Sequence, residues 1–355
     1  MLITGPKFQK SAKFSSVCGN IIFMSDFRTI VNTPRSPLRM AVSDRIFTIG
    51  SCFSDAIGER LANYKLGTYP NPAGILYNPV SIHRVLNLAM QGDAPSEANY
   101  TAGEVIFHHD FHSSLFAASK GGLQKILQQV MSDCQGYLQQ STWLIITYGT
   151  AWVYRRGDNG GIVANCHKQP SSGFVKSLLS HGDVEASFRD FYDTLRAFNP
   201  ELKVILTISP VRHMKDTLEG NSVSKSVLRV ACENITREHQ RVFYFPAFEI
   251  MMDDLRDYRF YRPDMIHPNE VAEAYIWEKF AGTWFDDQLL AFITSWKSIR
   301  QALQHRPFHP GTAAHRQFLT TILERISAWS AFVNTEAERD QVMAQLIETD
   351  GVPRE

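Results

Sequence analysis

Four short apolar runs stand out along an otherwise mixed chain. They are "RIFTIG" (Arg45 to Gly50), "TWLIITYG" (Thr142 to Gly149), "LKVILTISP" (Leu202 to Pro210) and "RVFYFPAF" (Arg241 to Phe248). Each is rich in Ile, Val, Phe or Tyr and continuous rather than alternating, the pattern of strands covered on both faces in a parallel sheet. Between them the apolar positions change to a helical period, over Ser54 to Asn63, Pro79 to Gln91, Gly121 to Gln139 and Val184 to Asn199. In the last of these, Phe188, Phe191, Tyr192 and Leu195 fall three to four residues apart before an Asn-Pro stop. Strands alternating with helices predict a three-layer α/β/α sandwich with a mainly parallel, flavodoxin-like sheet over residues 25–285. From Asp286 to Ile347 the pattern is helical throughout, with a break at "HRPFHPGTAAH", so residues 286–355 read as a helical C-terminal appendage. It either packs on the body or forms an oligomer contact, such as a homodimer through these helices.

Composition narrows the function classes. Lys+Arg and Asp+Glu both number 36 in the 355 residues. A zero net charge supplies no global field to draw in nucleic acid or an anionic membrane. No run of 18 apolar residues exists, so no membrane span is expected. The five cysteines (Cys18, Cys52, Cys134, Cys166, Cys232) are odd in number and hold no CxxC pair, which argues against a disulfide framework or a thiolate zinc site. Reduced thiols in a cytoplasm are the simplest reading; a periplasmic protein with free thiols is the alternative. Residues 1–24 read as an extension outside the fold, loosely attached, with Met24 a candidate start.

Parallel sheets bind ligands beyond the carboxyl ends of their strands. That directs attention to Ser51, to Gly149-Thr150 and to Ser209. Ser51 follows the first run and precedes a helix, where it is either a nucleophile needing a base or a helix cap. Cys52 is the competing nucleophile, at a helix start that favours a thiolate. Late in the chain, "PDMIHP" sets Asp264 and His267 three residues apart between prolines. One turn of chain lets the carboxylate orient the imidazole, the logic of a triad; otherwise these are a loop Asp and a capping His. No GxSxG elbow is present.

A serine after the first strand and an Asp-x-x-His after the last is the order of the SGNH (GDSL-like) hydrolases. The stretches "GSCFSDAIGERL", "NPAGILYNPVSI", "DFHSSLF", "YGTAWVY", "NCHKQP", "SPVRHMKDTLEGNSVSKSVLR" and "YFPAFEIMMDDLRDYRFYRPDMIHP" resemble the GSCFA family, a bacterial branch similar to those enzymes. The resemblance covers roughly Asp26 to Phe285. It implies an SGNH-like fold and an esterase-type activity, with Ser51 as nucleophile, His267 as base and Asp264 as its orienting acid. Ser51 and Gly74 match oxyanion donors. SGNH enzymes carry Gly-x-Asn-Asp in their third block; here the text is Gly149-Thr150-Ala151-Trp152, and the Asn is missing. A lost oxyanion donor costs on the order of 10²–10³ in rate, so Thr150 and Asn165 become the candidates to replace it.

Neighbouring residues offer substrate contacts. His167 lies beside Asn165, and Arg212 and His213 follow the third run. Arg212 is either a planar clamp for an anionic or polar group or an ion-pair partner of Asp216 or Glu219. Trp152, Tyr154 and Phe174 form either a sugar or acyl platform or core packing. His108, His109 and His112 with Asp110 have spacing that suits a pocket wall better than a metal site. The expectation is a serine-dependent, cofactor-independent hydrolase or acyltransferase acting on an acylated glycan or small ester. The alternative is a non-catalytic ligand- or glycan-binding protein on the same fold.

Overall fold

A computed structural model describes residues 28–101, 103–305 and 308–350; the N-terminal segment singled out above lies outside them. The four apolar runs form β1 (Arg45–Gly50), β3 (Trp143–Tyr148), β7 (Lys203–Ile208) and β8 (Val242–Phe245). A fifth strand, β2 (Gly67–Pro70), pairs with β1, and all five run parallel in the order β2-β1-β3-β7-β8. Counted as the strands of this sheet, that is the 2-1-3-4-5 order of flavodoxin-like folds, with the topological switch between β1 and β3. The α/β/α expectation holds. β2 escaped the reading because an edge strand tolerates Gly and Pro and is only partly buried.

Helices cover both faces. α1 (Cys52–Asn63), α2 (Pro79–Gln91), α3 (Lys120–Gln140), α4 (His181–Phe198) and α5 (Thr217–Glu238) precede a short α6 (Ala247–Glu249). Local chemistry sets their ends. Asn78 caps α2 ahead of Pro79, and Gly92 closes it in the left-handed region. Ser180 and Asp183 make a reciprocal capping box on α4. Alternate residues of each strand then feed two cores. Phe47, Ile49, Leu144, Ile146, Val204 and Leu206 pack with α2 to α5. Ile46, Trp143, Ile145, Ile205 and Phe245 pack with α1 and α7 (Glu270–Trp284).

The C-terminal helices α8 (Asp287–Gln304), α9 (Ala313–Ser327) and α10 (Glu336–Asp350) join the second core. Leu289, Phe292, Trp296 and Ile299 are at most 1 % exposed there. Among the described residues no helix is long and apolar enough to cross a membrane. A small antiparallel sheet, β5 (Ile162–Val163), β4 (Trp152–Arg156) and β6 (Phe174–Leu178), follows β3 as an insertion.

Candidate active site

β1 ends at Gly50, whose backbone lies against β3: a Cβ there would come within 2.2 Å of the Thr147 carbonyl oxygen. With φ at +140°, only glycine suits the position. The chain then enters α1. Ser51 is the N-cap, with its Oγ accepting the Phe53 N–H at 3.3 Å, and it is 1 % exposed. Its own N–H donates to Thr147 O at 3.1 Å. Among the described residues no bond joins Ser51 to His267. The serine thus caps α1 at the carboxyl edge of the sheet.

Cys52 is the first residue of α1 and is half-buried. Burial, then the nearby Asp55 carboxylate, pushes its thiol up. The N–H groups of Cys52 and Phe53 and the Lys225 ammonium act the other way. Asn71 ties this corner together. Its Oδ1 accepts the Gly50 N–H at 2.7 Å, and its Nδ2 donates to Asp55 Oδ1 at 2.5 Å.

The four expected oxyanion donors are all committed elsewhere. The Ser51 N–H is in the β1–β3 pairing. The Gly74 N–H closes a turn onto Asn71 O at 2.8 Å, and His112 fills the space a Cβ on Gly74 would need. The Thr150 N–H goes to Tyr77 O, while its hydroxyl accepts Trp152 N–H and bonds Ser224 Oγ. Asn165 donates its amide to Ser113 Oγ and accepts the His167 N–H. These residues shape the walls, and the N–H of Cys52 at the start of α1 is a donor with no backbone carbonyl partner among the described residues.

Asp264 and His267 meet as expected. The Asp264 Oδ2 sits 2.7 Å from His267 Nδ1, and its Oδ1 accepts the N–H groups of Ile266 and His267. Those backbone N–H groups, His267's first, and then the imidazole hold the Asp264 carboxyl down at about 2. The tight bend places Met265 at φ +57°. With Nδ1 donating to the carboxylate, Nε2 is the free basic nitrogen of the neutral ring. The loop is anchored to the exit of β7 by the Arg212 N–H on Ile266 O at 3.3 Å, and to itself by the Arg262 N–H on His267 O at 2.8 Å.

The expected substrate contacts divide. His213 sits at the edge of the site, bonded to the Gly149 backbone and edge-on to Tyr77, and burial pulls it down to about 4. Among the described residues Arg212 makes no ion pair with Asp216 or Glu219; its guanidinium lies 4.2 Å over the Tyr261 ring, beside a cavity of about 210 Å³. Asp216 pairs with Lys176 instead. Trp152 donates Nε1 to Gly220 O under the Lys176 ammonium. His167 has both ring nitrogens engaged, by Ser113 Oγ and His108 O, and stacks on Phe107. Asp110 is held by Arg84 and Asn99. Among the described residues no group of three or more His, Cys, Asp or Glu is placed to hold a metal ion.

Sequence reasoning missed Lys225. It is 1 % exposed, and its Nζ donates to Gly149 O and Ser209 O, each at 2.7 Å. The signal was available: the buried stripe of α5 runs Leu228, Ala231, Cys232, Ile235, and one turn back it lands on Ser224 and Lys225.

No curated protein matches the chain. Among solved structures, one that matches is "Crystal structure of a carbohydrate esterase family 3 from Talaromyces cellulolyticus", at 11% identity and a TM-score of 0.32, covering 72% of this chain and 99% of that one. The C-terminal helices match the description "GSCFA domain protein, C-terminal domain" over residues 296–348. The description "GSCFA family" matches residues 45–280, about two thirds of the sequence and all of the strands, and the chain belongs to that family.

Proposed function

We propose that this chain is a cofactor-independent hydrolase or acyltransferase of ester-linked acyl groups, with Cys52 as nucleophile and His267, oriented by Asp264, as its base. The observation that carries the reading is the Asp264–His267 pair at 2.7 Å, on a loop anchored to the carboxyl edge of the sheet that also presents Cys52. What favours Cys52 over Ser51 is local geometry. The serine hydroxyl is buried in the cap, while the thiol occupies the first helical position, where the Cys52 N–H has no backbone carbonyl partner among the described residues.

In this mechanism the Cys52 sulfur attacks the ester carbonyl carbon as its proton passes to His267 Nε2. The Cys52 N–H at the helix N-terminus supports the oxyanion. The carbon–oxygen bond to the alcohol breaks, and His267 returns the proton to the leaving oxygen. Water or a second alcohol then attacks the thioester, with His267 taking its proton and the sulfur leaving. An acylated glycan or a small acyl ester is the substrate class. The test is hydrolysis of a panel of acetylated oligosaccharides and 4-nitrophenyl esters. Cys52→Ala and His267→Ala should abolish turnover while Ser51→Ala retains it; turnover that survives Cys52→Ala overturns the assignment.

A second reading, a non-catalytic binding protein, is favoured by one observation: the four side-chain and backbone donors expected at the oxyanion are all occupied. It is the correct one if folded wild-type protein turns over no member of the panel yet is stabilised against heat by an unreacted ligand.

A further inference from the structure

The loop beyond β7 carries an arginine that no carboxylate answers. Among the described residues Arg212 forms no ion pair; its guanidinium lies over two tyrosine rings, 4.2 Å from the centre of Tyr261 and 5.5 Å from that of Tyr258. Stacking of this kind engages the flat face of the cation and leaves its in-plane N–H fork for an acceptor. Arg212 and both rings line a cavity of about 210 Å³. The other charged groups on its wall are already engaged. Arg256 donates to Asp253 at 2.9 Å, and Asp257 accepts the Arg259 N–H at 2.9 Å, with its second oxygen 3.7 Å from Arg259 Nε. The rest of the lining is apolar: Met251, Met252 and Leu255. The two methionines sit on a π-turn, Ile250–Asp254, a rare widening of the helix that is frequent at functional sites.

The cavity shares its backbone with the loop of His267. The Arg212 N–H donates to Ile266 O at 3.3 Å, one residue before the histidine, and Tyr261 bridges Pro268, one residue after it. Arg262, next to Tyr261, donates its N–H to His267 O. On the other side, His213 follows Arg212 and packs edge-on to Tyr77 at the sheet edge. A small apolar recess with one unpaired guanidinium suits a short chain with an anionic end, because the planar fork binds a carboxylate through two parallel N–H···O bonds. A neutral chain would leave the fork without an acceptor, and a long one overfills the cavity. We propose that this cavity is the acyl subsite and that Arg212 selects acyl groups ending in a carboxylate, the half-esters of short dicarboxylic acids. The inference rests on the proposed ester chemistry for the reaction, and on the cavity alone for the charge of the bound group.

The test compares monoethyl succinate with ethyl butyrate, whose acyl chains have equal length, by the ethanol each releases. Wild-type kcat/KM should favour the succinate by about tenfold or more, the effect of hydrogen bonds to a charged group. Arg212→Met should erase that ratio. No preference in the wild type, or a preference that survives Arg212→Met, overturns the proposal. Where Arg212→Met fails to fold, Arg212→Lys keeps the charge without the fork and should cut the ratio by about threefold or more; an unchanged ratio overturns the proposal. Failure of the ester chemistry reads differently, as turnover of neither ester. Binding to the wild-type protein then decides. Monoethyl succinate should raise Tm where ethyl butyrate at the same concentration does not, and Arg212→Met should remove the difference. Equal shifts, or no shift with either ester, overturn the subsite.

Discussion

At the residue scale, one position separates the N-cap of α1 from the nucleophile proposed here. Ser51 and Cys52 are adjacent, and a turn between strand and helix rotates successive side chains into different surroundings. The sequence showed both candidates; nothing in the text specified which one the last strand residue would leave as N-cap. Ser51→Ala should cost about 1 kcal/mol of stability through the lost cap, seen as a lower denaturant midpoint, with turnover retained. Asp264 and His267 were legible because the prolines and the three-residue spacing fix a short bend, and such a bend brings the two side chains together. Asp264→Asn should lower kcat by on the order of 10³–10⁴ with little change in KM, because the amide favours the wrong tautomer of His267. An equal loss confined to KM would point to binding rather than orientation. Lys225 was passed over for a different reason. Single lysines are nearly always solvated, so its place on the apolar stripe of α5 did not by itself mark it as buried.

At the element scale, the buried strands read clearly because both faces are apolar, and α2 begins and ends where its Asn-Pro start and Gly stop place it. The small β4-β5-β6 sheet did not, since β5 is only two residues long and β4 and β6 are short, half-exposed and carry Arg or Lys. Its consequences reached the site: Trp152, placed among substrate contacts, belongs to a strand and packs under Lys176. The hold of α5 on the loop after β3 makes a prediction of its own. Ser224→Ala leaves the Ala151 N–H and the Thr150 hydroxyl short of a buried partner. It should cost about 1–3 kcal/mol in equilibrium unfolding. A cost near zero would mean that the loop is held by Tyr77 and Lys225 alone.

At the scale of the whole molecule, the C-terminal helices are part of the second core rather than an attachment to it. Phe292→Ala, far from the site in sequence and packed beside Trp296 and Trp329, should cost about 3–5 kcal/mol while the folded fraction keeps its kcat. Acid should weaken the fold in a defined window. Burial of His83 and partial burial of His167 and His213 hold them neutral, at about 3, 4 and 4 against an ordinary 6.5. Between those values the unfolded chain binds more protons than the folded one, so unfolding free energy rises with pH and is lost as pH falls from 6.5 toward 4. Urea midpoints that stay flat from pH 6.5 to 5 would contradict this.

The central claim is that this sheet edge presents a cysteine to an Asp-oriented histidine. The direct test is to quench the reaction with 4-nitrophenyl acetate in acid and map the acetyl group by peptide mass spectrometry. The account predicts an acetyl thioester on Cys52 that no longer forms at the same rate in His267→Ala. An acetyl ester on Ser51, or acetylation of Cys52 indifferent to His267, would contradict it.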